Sequence, residues 1–211
     1  MNFAGQGPLT YLITTGESTP ANFRQKSSDI LERIKIAVEE HVSMVQLREK
    51  HLSASLLCEL TERTAEITRG SSTKLLVNER ADIAFACGAD GVHLTSRSMS
   101  VATARACFSD KLIIGASAHS LPQAQKAAAN GADFIVFGPI FKTPGKDRLQ
   151  GLTRLAELCD VMAGSSVLAL GGIDEANCLQ TLEAGASGFA AIRALNDTEM
   201  LRSIMSKIRH I

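Results

Sequence analysis

The sequence lacks an excess of charge of either sign. Its 211 residues include 22 Lys and Arg against 22 Asp and Glu, so the formal net charge is zero. A chain of this kind does not attract nucleic acid or an anionic membrane through its overall charge. We therefore expect no nucleic-acid partner, and any anion that binds must meet a local group of cations.

Long hydrophobic runs are also missing. Nowhere do 18 apolar residues follow one another, and the first ten residues, MNFAGQGPLT, have neither a basic segment nor a long apolar one. These absences argue against a membrane span and against a secretory signal. They predict a cytoplasmic protein with no membrane partner.

Cysteines are few, and no two of them form a C-x-x-C pair. Each lies in a helix-like stretch among Ala, Leu or Phe, which predicts reduced residues of the hydrophobic core. The five are Cys58, Cys87, Cys107, Cys159 and Cys178.

What the sequence does contain is a regular alternation of short β-rich runs with amphipathic stretches. The strand candidates are residues 9–15, 44–48, 74–77, 91–94, 112–117, 134–137, 167–170 and 188–192. The helical candidates lie near residues 26–41, 53–69, 80–87, 100–108, 121–130, 152–163, 175–184 and 197–209. No linker interrupts the pattern, which predicts one domain over residues 1–211.

Eight strand-helix units in a chain of this length favour an α/β fold, a single-domain (β/α)8 TIM barrel. A doubly wound sheet is the alternative, but no G-x-G-x-x-G follows the first strand. The phrase G-A-[DS], beginning at Gly88, Gly131 and Gly185, stands between helix patterns and strands and predicts left-handed helix ends. In such a barrel, the chemistry takes place at the carboxyl ends of the strands.

Cationic and amide side chains end the second strand. Gln46, Arg48 and Lys50 alternate with Leu47, so they should share one side of the strand. Arg and Lys at a barrel mouth can hold phosphate oxygens. A solvated strand end with ordinary ion pairs is the alternative interpretation.

Oxygen-bearing side chains end the third and fifth strands. Asn78 and Glu79 offer oxygen ligands to Mg²⁺, although the same pair could simply begin a helix. Ser117 ends the fifth strand, and His119 follows two residues later. Both His119 and the strand residue His93 are predicted to be structural, hydrogen-bonded histidines.

The last three strands lead into candidate phosphate sites. The segment GPIFKTPGKDRLQG, residues 138–151, is long for a turn, and its Thr143 and Lys146 could clasp a pyrophosphate. A solvated surface loop is the alternative. The paired glycines after the seventh strand, including Gly172, allow an anion close to the backbone, and the eighth strand ends near Ile192 and Arg193.

These motifs together resemble the thiamin phosphate synthase and TenI superfamily. The likeness runs through QLREK (46–50), LLVNERADIAFACGADGVHL (75–94), IIGASAHS (113–120), GADFIVFGPIFKTPGKD (131–147) and ALGGI (169–173). It implies a (β/α)8 barrel that takes small phosphate and pyrophosphate substrates. In the synthase, a pyrimidine loses its pyrophosphate, and the nitrogen of a thiazole phosphate attacks the carbon left behind to give thiamin phosphate.

The resemblance implies two groups of site residues, with Ser117 and Lys146 taken as catalytic. The residues that grip the pyrimidine and its pyrophosphate are Gln46, Arg48, Lys50, Asn78, Ser117, Thr143 and Lys146. Those at the thiazole phosphate are Gly172, Ile192 and Arg193.

Two positions depart from the synthase pattern, and both concern Mg²⁺. Glu79 and Ser98 stand where the family has aspartates, so the resemblance implies a weakened Mg²⁺ site at Glu79. We expect Arg97 to supply part of the missing positive charge as a third catalytic residue. An ordinary solvated loop arginine is the alternative.

The loop after the fourth strand also resembles that of TenI, the thiazole tautomerase branch. Pro139, however, stands where that branch has its catalytic histidine, and a proline side chain cannot move a proton. We therefore predict the synthase activity. A TenI-like tautomerase and a non-catalytic binder of thiamin-pathway phosphates are the alternatives, and the sequence leaves open whether the chain forms a homo-oligomer.

Overall fold

The computed structural model describes residues 7–145 and 148–209, which form a closed barrel of eight parallel strands. The strands are β1 (Leu9–Ile13), β2 (Met44–Leu47), β3 (Lys74–Asn78), β4 (Gly91–Leu94), β5 (Ile113–Ala118), β6 (Phe134–Phe137), β7 (Ser166–Leu170) and β8 (Gly188–Ala191). Each strand pairs with the next along the chain, and β8 closes the ring against β1. The predicted (β/α)8 barrel is confirmed.

Helices follow the strands on the outside of the barrel. They are α1 (Phe23–Glu39), α2 (Ala54–Thr68), α3 (Ala81–Ala86), α4 (Val101–Phe108), α5 (Leu121–Ala129), α6 (Gly151–Val161), α7 (Cys178–Glu183), α8 (Arg193–Asn196) and α9 (Thr198–Ile208), with a 3-10 turn at Ser109–Lys111. Within the described residues, no helix is both long and apolar enough to cross a membrane.

The strands are mainly apolar because both of their faces are buried. Outward side chains such as Leu12 and Val45 pack against the helices, whereas Tyr11, Met44 and Leu76 fill the interior of the barrel. A parallel sheet covered on both faces produces the nearly continuous hydrophobic runs seen in the sequence.

The predicted left-handed helix ends are confirmed at all three G-A-[DS] phrases. Gly88, Gly131 and Gly185 have φ angles of 77°, 92° and 88°. The last predicted helix, near residues 197–209, corresponds to α9, but the four-residue helix α8 that precedes it was not predicted. The Asp197 carboxylate accepts a hydrogen bond from the Met200 N–H and so begins α9.

The prediction for the cysteines needs correction. Cys58 of α2 and Cys87 at the end of α3 form a disulfide, and Cys107 is exposed rather than part of the core. Cys178 is buried, as expected. The disulfide escaped prediction because its two cysteines are 29 residues apart and meet only where α2 packs on α3.

Candidate active site

A cleft opens at the carboxyl ends of the strands, where the barrel fold places the chemistry. It has two adjoining lobes of about 270 Å³ each. The lobes share Thr143, Leu170, Gly171 and Ile192. The first, here the cationic lobe, is also lined by Ile13, Gln46, Arg48, Lys50, Asn78, His93, Thr95, Ser96, Ser117, His119, Val136, Gly138 and Pro139. The second, the glycine lobe, is also lined by Pro144, Gly172, Ile173, Ala191 and Arg193.

The end of β2 provides the charge of the cationic lobe. Gln46, Arg48 and Lys50 all line it, while Leu47 packs in the outer core, so the predicted alternation is confirmed. The Gln46 side chain is buried, and its Nε2 donates a 2.6 Å hydrogen bond to the Tyr11 hydroxyl. This bond fixes the amide so that its oxygen is the end that remains for a ligand.

Glu79 holds an unusual position at the edge of this lobe. Its backbone is left-handed, with φ of 63°, which is uncommon for a residue with a side chain. The carboxylate accepts hydrogen bonds from the hydroxyls of Thr95 and Ser98. Its second oxygen accepts from the Asn78 amide at 3.2 Å and lies 3.9 Å from the Lys50 ammonium.

The hydroxyls that follow β4 therefore have a definite partner. The bond from Thr95, with smaller contributions from Lys50, Asn78 and Ser98, lowers the pKa of Glu79. Residues 95–98, which follow β4, thus supply two hydroxyl donors to this carboxylate. The β3–β4 pairing brings the two segments together, and the Glu79 N–H donates to the His93 carbonyl at 2.9 Å.

Glu79 and the oxygen atoms around it form only a small set of possible metal ligands. Glu49, the nearby acidic residue of the β2 loop, is already engaged, because its carboxylate accepts from the N–H groups of Gly16 and Ser18. Glu79 is thus left to offer one anionic ligand beside hydroxyl and amide oxygens, the hard donors that Mg²⁺ prefers. These residues fit Mg²⁺ only if a bound substrate supplies most of the remaining oxygens.

The structure does not bring Arg97 into the cleft. Its side chain is exposed and is absent from the lining of both lobes, while the neighbouring Thr95 and Ser96 are part of it. The loop directs its hydroxyls, and not its cation, towards Glu79. A role for Arg97 in supplying positive charge stays a prediction from the sequence.

His93 lies at the floor of the cationic lobe, between Tyr11 and Phe134. Its Nε2 is 2.8 Å from Ser117 Oγ, and its buried Nδ1 has no hydrogen-bond partner. Burial lowers the pKa of His93 to about 4, so the ring is neutral at pH 7. An unpaired acceptor costs less than an orphaned buried N–H, which favours the tautomer in which Nε2–H donates to Ser117.

That tautomer leaves the Ser117 hydroxyl hydrogen available for a ligand. His93 is hydrogen-bonded as predicted, but its partner is Ser117 of the candidate site and it lines the cleft, which the sequence did not indicate. His119 is also hydrogen-bonded as expected, because its Nδ1 lies 2.6 Å from the Gly138 carbonyl oxygen. Tyr11, His93 and Thr95 are the site residues that sequence reasoning missed, because the pairing of neighbouring strands is what brings them beside Gln46 and Asn78.

The glycine lobe is built from the turn after β7 and the start of α8. The carbonyl oxygens of Leu170 and Gly171 accept from the N–H groups of Ile140 and Phe141, and that of Gly172 accepts from Asn177 Nδ2. With these acceptors occupied, the amide donors are what the turn offers to an anion. Ile192 and Arg193 line the same lobe, as the resemblance implied.

The loop after β6 joins the two lobes. Thr143 lines both of them, and its hydroxyl donates to the Phe141 carbonyl at 3.1 Å. Lys146 lies outside the described residues, so its catalytic role stays a prediction. Pro139 lines the cationic lobe and has no proton to exchange.

The comparisons with known proteins agree with this geometry. The sequence profile described as thiamine monophosphate synthase matches residues 10–195. The chain belongs to this family. The match covers every strand of the barrel except the first residue of β1, and it includes both lobes of the cleft.

Individual relatives are similar over most of their length. The chain is 35% identical to the thiamine-phosphate synthase of Chlorobium luteolum, covering 91% of this chain and 87% of that protein. It is 32% identical to the thiamine-phosphate synthase of Caldanaerobacter subterraneus, covering 88% of each. Among solved structures, the thiamine phosphate pyrophosphorylase of Pyrococcus furiosus superposes with a TM-score of 0.81 at 27% identity, covering 96% of each chain.

Proposed function

We propose that the protein is a thiamin phosphate synthase, a transferase that joins a pyrimidine pyrophosphate to a thiazole phosphate and releases pyrophosphate. The observation that carries this proposal is the two-lobed cleft. A lobe with Arg48 and Lys50 meets a lobe of backbone donors at Thr143, so two phosphorylated molecules can be held side by side. Family membership supports the same reaction.

The pyrimidine ring fits the inner part of the cationic lobe. The Gln46 oxygen, positioned by the Tyr11 bond, accepts from an amino group on the ring. Ser117, which receives the His93 N–H, donates its own hydrogen to a ring nitrogen or to a pyrophosphate oxygen. Holding the ring in one orientation exposes the carbon that carries the pyrophosphate to the neighbouring lobe.

The pyrophosphate leaves from the outer part of the same lobe. Arg48 and Lys50 stabilise the charge that builds on it, and Asn78 donates a further hydrogen bond. Departure of the pyrophosphate leaves a cation-like pyrimidine carbon, and the thiazole nitrogen forms the new bond by giving its electron pair to that carbon. The low net charge of the chain makes this local pair of cations the main attraction for the substrate.

The thiazole phosphate occupies the glycine lobe. The N–H groups of the turn at Gly171 and Gly172 hold its phosphate, and Arg193 adds positive charge at the rim. Because Ile192 lines both lobes, it separates the two rings and sets the distance over which the thiazole nitrogen attacks.

Mg²⁺ is part of the proposal, with Glu79 as its protein ligand and the pyrophosphate supplying most of the other oxygens. When bound, the ion neutralises charge on the leaving group. Thr95 and Ser98 hold the Glu79 carboxylate in place for this role. The single carboxylate supports weak metal binding in the absence of substrate.

The decisive experiment supplies both substrates to the protein and follows thiamin phosphate by mass spectrometry, with pyrophosphate release measured in a single turnover. Formation of both products is expected. Pyrimidine pyrophosphate that binds without releasing pyrophosphate would indicate a non-catalytic binder. Isomerisation of a thiazole without coupling would indicate a tautomerase, which the proline at position 139 argues against.

A pair of arginine variants tests the placement of the pyrophosphate. Arg48→Gln should raise KM for the pyrimidine pyrophosphate by roughly tenfold or more, because a bidentate cation is lost from the lobe. Arg24→Gln makes the same change on the exposed surface of α1 and should leave KM unaltered. Equal KM values for the two variants would show that the pyrophosphate does not bind at the end of β2.

We also propose a cytoplasmic location, because phosphorylated small molecules are made and used inside cells. Fractionation of cells expressing the chain tests this. Light scattering on the purified protein decides between a monomer and a homo-oligomer.

A further inference from the structure

The disulfide between Cys58 and Cys87 has no part in the reaction above. The two Cα atoms are 6.0 Å apart, the separation typical of disulfides, and the residues are 29 positions apart in the sequence. Three cysteines remain free, at positions 107, 159 and 178. In a cytoplasmic protein such a bond is more often transient and redox-sensing than permanent.

We propose that Cys58 and Cys87 are a reversible oxidation site that takes low-molecular-weight disulfides of the glutathione class as its oxidant. The two sulfurs differ in exposure, as such a site requires. Cys58 is partly exposed on α2, whereas Cys87 has only 6% of its surface exposed. A soluble reagent therefore meets Cys58 first, and Cys87 is the resolving thiol.

The reaction balances in two exchanges. The Cys58 thiolate attacks one sulfur of the oxidant, a mixed disulfide forms, and one small thiol leaves. The Cys87 thiolate then attacks the Cys58 sulfur and expels the second small thiol. The protein loses two electrons and two protons, which the oxidant gains as it becomes two thiols.

A neighbouring carboxylate restrains the first exchange. Glu62 lies one turn further along α2, and its Oε1 is 3.8 Å from Cys58 Sγ. In the reduced state it accepts the S–H hydrogen, and its negative charge disfavours the thiolate that must attack. The pair is therefore slow to oxidise while the carboxylate is ionised.

The bond connects two elements that carry cleft residues. Helix α2 follows the loop with Lys50, and α3 begins just after Glu79. Leu57, next to Cys58 in the sequence, lines a surface groove together with Lys50 and Glu79. Oxidation therefore links the two elements that carry the Lys50–Glu79 ion pair. The bond also lowers the conformational entropy of the unfolded chain, which raises thermal stability.

To test the site, the folded protein is treated with oxidant or reductant and then denatured, and all of its free thiols are counted. After equilibration with oxidised glutathione, three titratable thiols are expected, and dithiothreitol without denaturant should restore five. Peptide mass mapping should place the bond between positions 58 and 87, and Tm should fall on reduction. Cys107→Ser serves as the matched control and should keep the bond, whereas Cys58→Ser should lose it together with the redox-dependent change in Tm.

Glu62→Gln should raise the rate of oxidation by roughly twofold or more, since the carboxylate no longer opposes the thiolate. Glu66→Gln removes the same charge one turn further along α2 and should leave the rate unchanged.

The proposal is overturned if five thiols remain after oxidation, if glutathione stays attached to Cys58, or if dithiothreitol reduces the bond only after unfolding. Stoichiometric zinc that protects both thiols and is lost in Cys58→Ser would also overturn it, because Cys58, Glu62 and Cys87 could together hold a metal ion.

Discussion

At the scale of single residues, Glu79 shows how a carboxylate can be held at a cleft without a second acidic partner. Hydroxyl donors from Thr95 and Ser98 occupy one of its oxygens, and Asn78 and Lys50 approach the other. The hydrogen bonds stabilise the ionised form and keep its position fixed. An aspartate at position 98, as the resemblance in the sequence implies for the family, would put a second negative charge at this point.

Ser98→Asp is expected to make the site depend on a cation. The new carboxylate would lie close to the Glu79 oxygen that Ser98 Oγ now approaches at 3.4 Å. Two such charges repel by about 1 to 4 kcal/mol, depending on how well solvent screens them. The variant should therefore have a lower Tm than the wild type without Mg²⁺ and a larger rise in Tm when Mg²⁺ is added.

Thermal scans at several Mg²⁺ concentrations measure this effect. Ser206→Asp, at an exposed position of α9 that lines neither lobe, is the control and should show the Mg²⁺ response of the wild type. If Ser98→Asp gains no additional Mg²⁺ response, the metal does not bind at Glu79.

His93 makes the stability of the protein depend on pH. The pKa of His93 is about 4 in the folded protein, against an ordinary value of 6.5. Between these two pH values the imidazole is protonated in the unfolded chain but neutral in the folded protein. The contribution of the neutral His93 to the unfolding free energy is therefore fully present above pH 6.5 and is lost as the pH falls towards 4. The full effect is on the order of 3 kcal/mol.

Urea unfolding of the wild type and of His93→Gln between pH 7.5 and 4.5 isolates this effect. The difference in unfolding free energy between the two proteins should shrink as the pH falls, because only the wild type carries the buried imidazole. His51→Gln, at an exposed position, should follow the wild type. A difference that stays constant over the range would show that His93 takes up its proton as readily in the folded protein as in the unfolded chain.

At the scale of elements, the turn after β7 and the loop after β6 are built against each other. A Cβ at Gly172 would lie 2.6 Å from the Lys142 carbonyl oxygen and 2.8 Å from Phe141 Cβ. A side chain there would therefore displace the β6 loop before it met any bound phosphate. This glycine serves the packing of two loops as well as the approach of a ligand.

Gly172→Ala should weaken the binding of thiazole phosphate by roughly tenfold or more and also reduce stability, because Thr143 belongs to the displaced loop. Gly70→Ala is the matched control, because Gly70 lines neither lobe. Both glycines have positive φ angles, 66° and 80°, but a Cβ at Gly70 meets nothing within 4 Å. The control should show only the strain of a left-handed alanine, about 1 to 2 kcal/mol.

Calorimetry with thiazole phosphate and urea unfolding together separate these contributions. If the two variants bind equally well, the contact between the turn and the loop has no effect on the phosphate site.

At the scale of the whole molecule, closure of the barrel depends on a close approach of β1 to β8. Leu9 pairs with Gly188, and a Cβ at Gly188 would lie 2.0 Å from the Leu9 carbonyl oxygen. Neither backbone can move without breaking the ladder that completes the ring. The first and last strands thus meet where only a glycine fits.

Gly188→Ala should cost roughly 3 kcal/mol or more of unfolding free energy, since the clash is with backbone rather than with a flexible side chain. Gly7→Ala makes the same change just before β1, where a Cβ has open space, and should be nearly neutral. Denaturant unfolding followed by circular dichroism compares them. Similar midpoints for the two variants would mean that the barrel tolerates separation of its closing strands.

Much of the fold could be predicted because its signals are local. Strand and helix periodicity depend on residues a few positions apart, and the eight units were placed correctly to within a few residues at most ends. The short helix α8 was missed because its four residues follow closely on β8 and are too few to show a helical periodicity. The residues of both lobes were largely recognised from strand ends and motifs, whereas Tyr11 and His93 were not.

The sequence by itself determined the order of eight strand-helix units, the sides of β2 and the left-handed glycines, because each follows from neighbouring residues along the chain. Only the tertiary structure decided which distant groups meet. The Thr95–Glu79 hydrogen bond, the His93–Ser117 bond and the Cys58–Cys87 disulfide join residues 16, 24 and 29 positions apart. Such contacts depend on strand register and helix packing, which bring side chains within a few ångströms only once the barrel has closed.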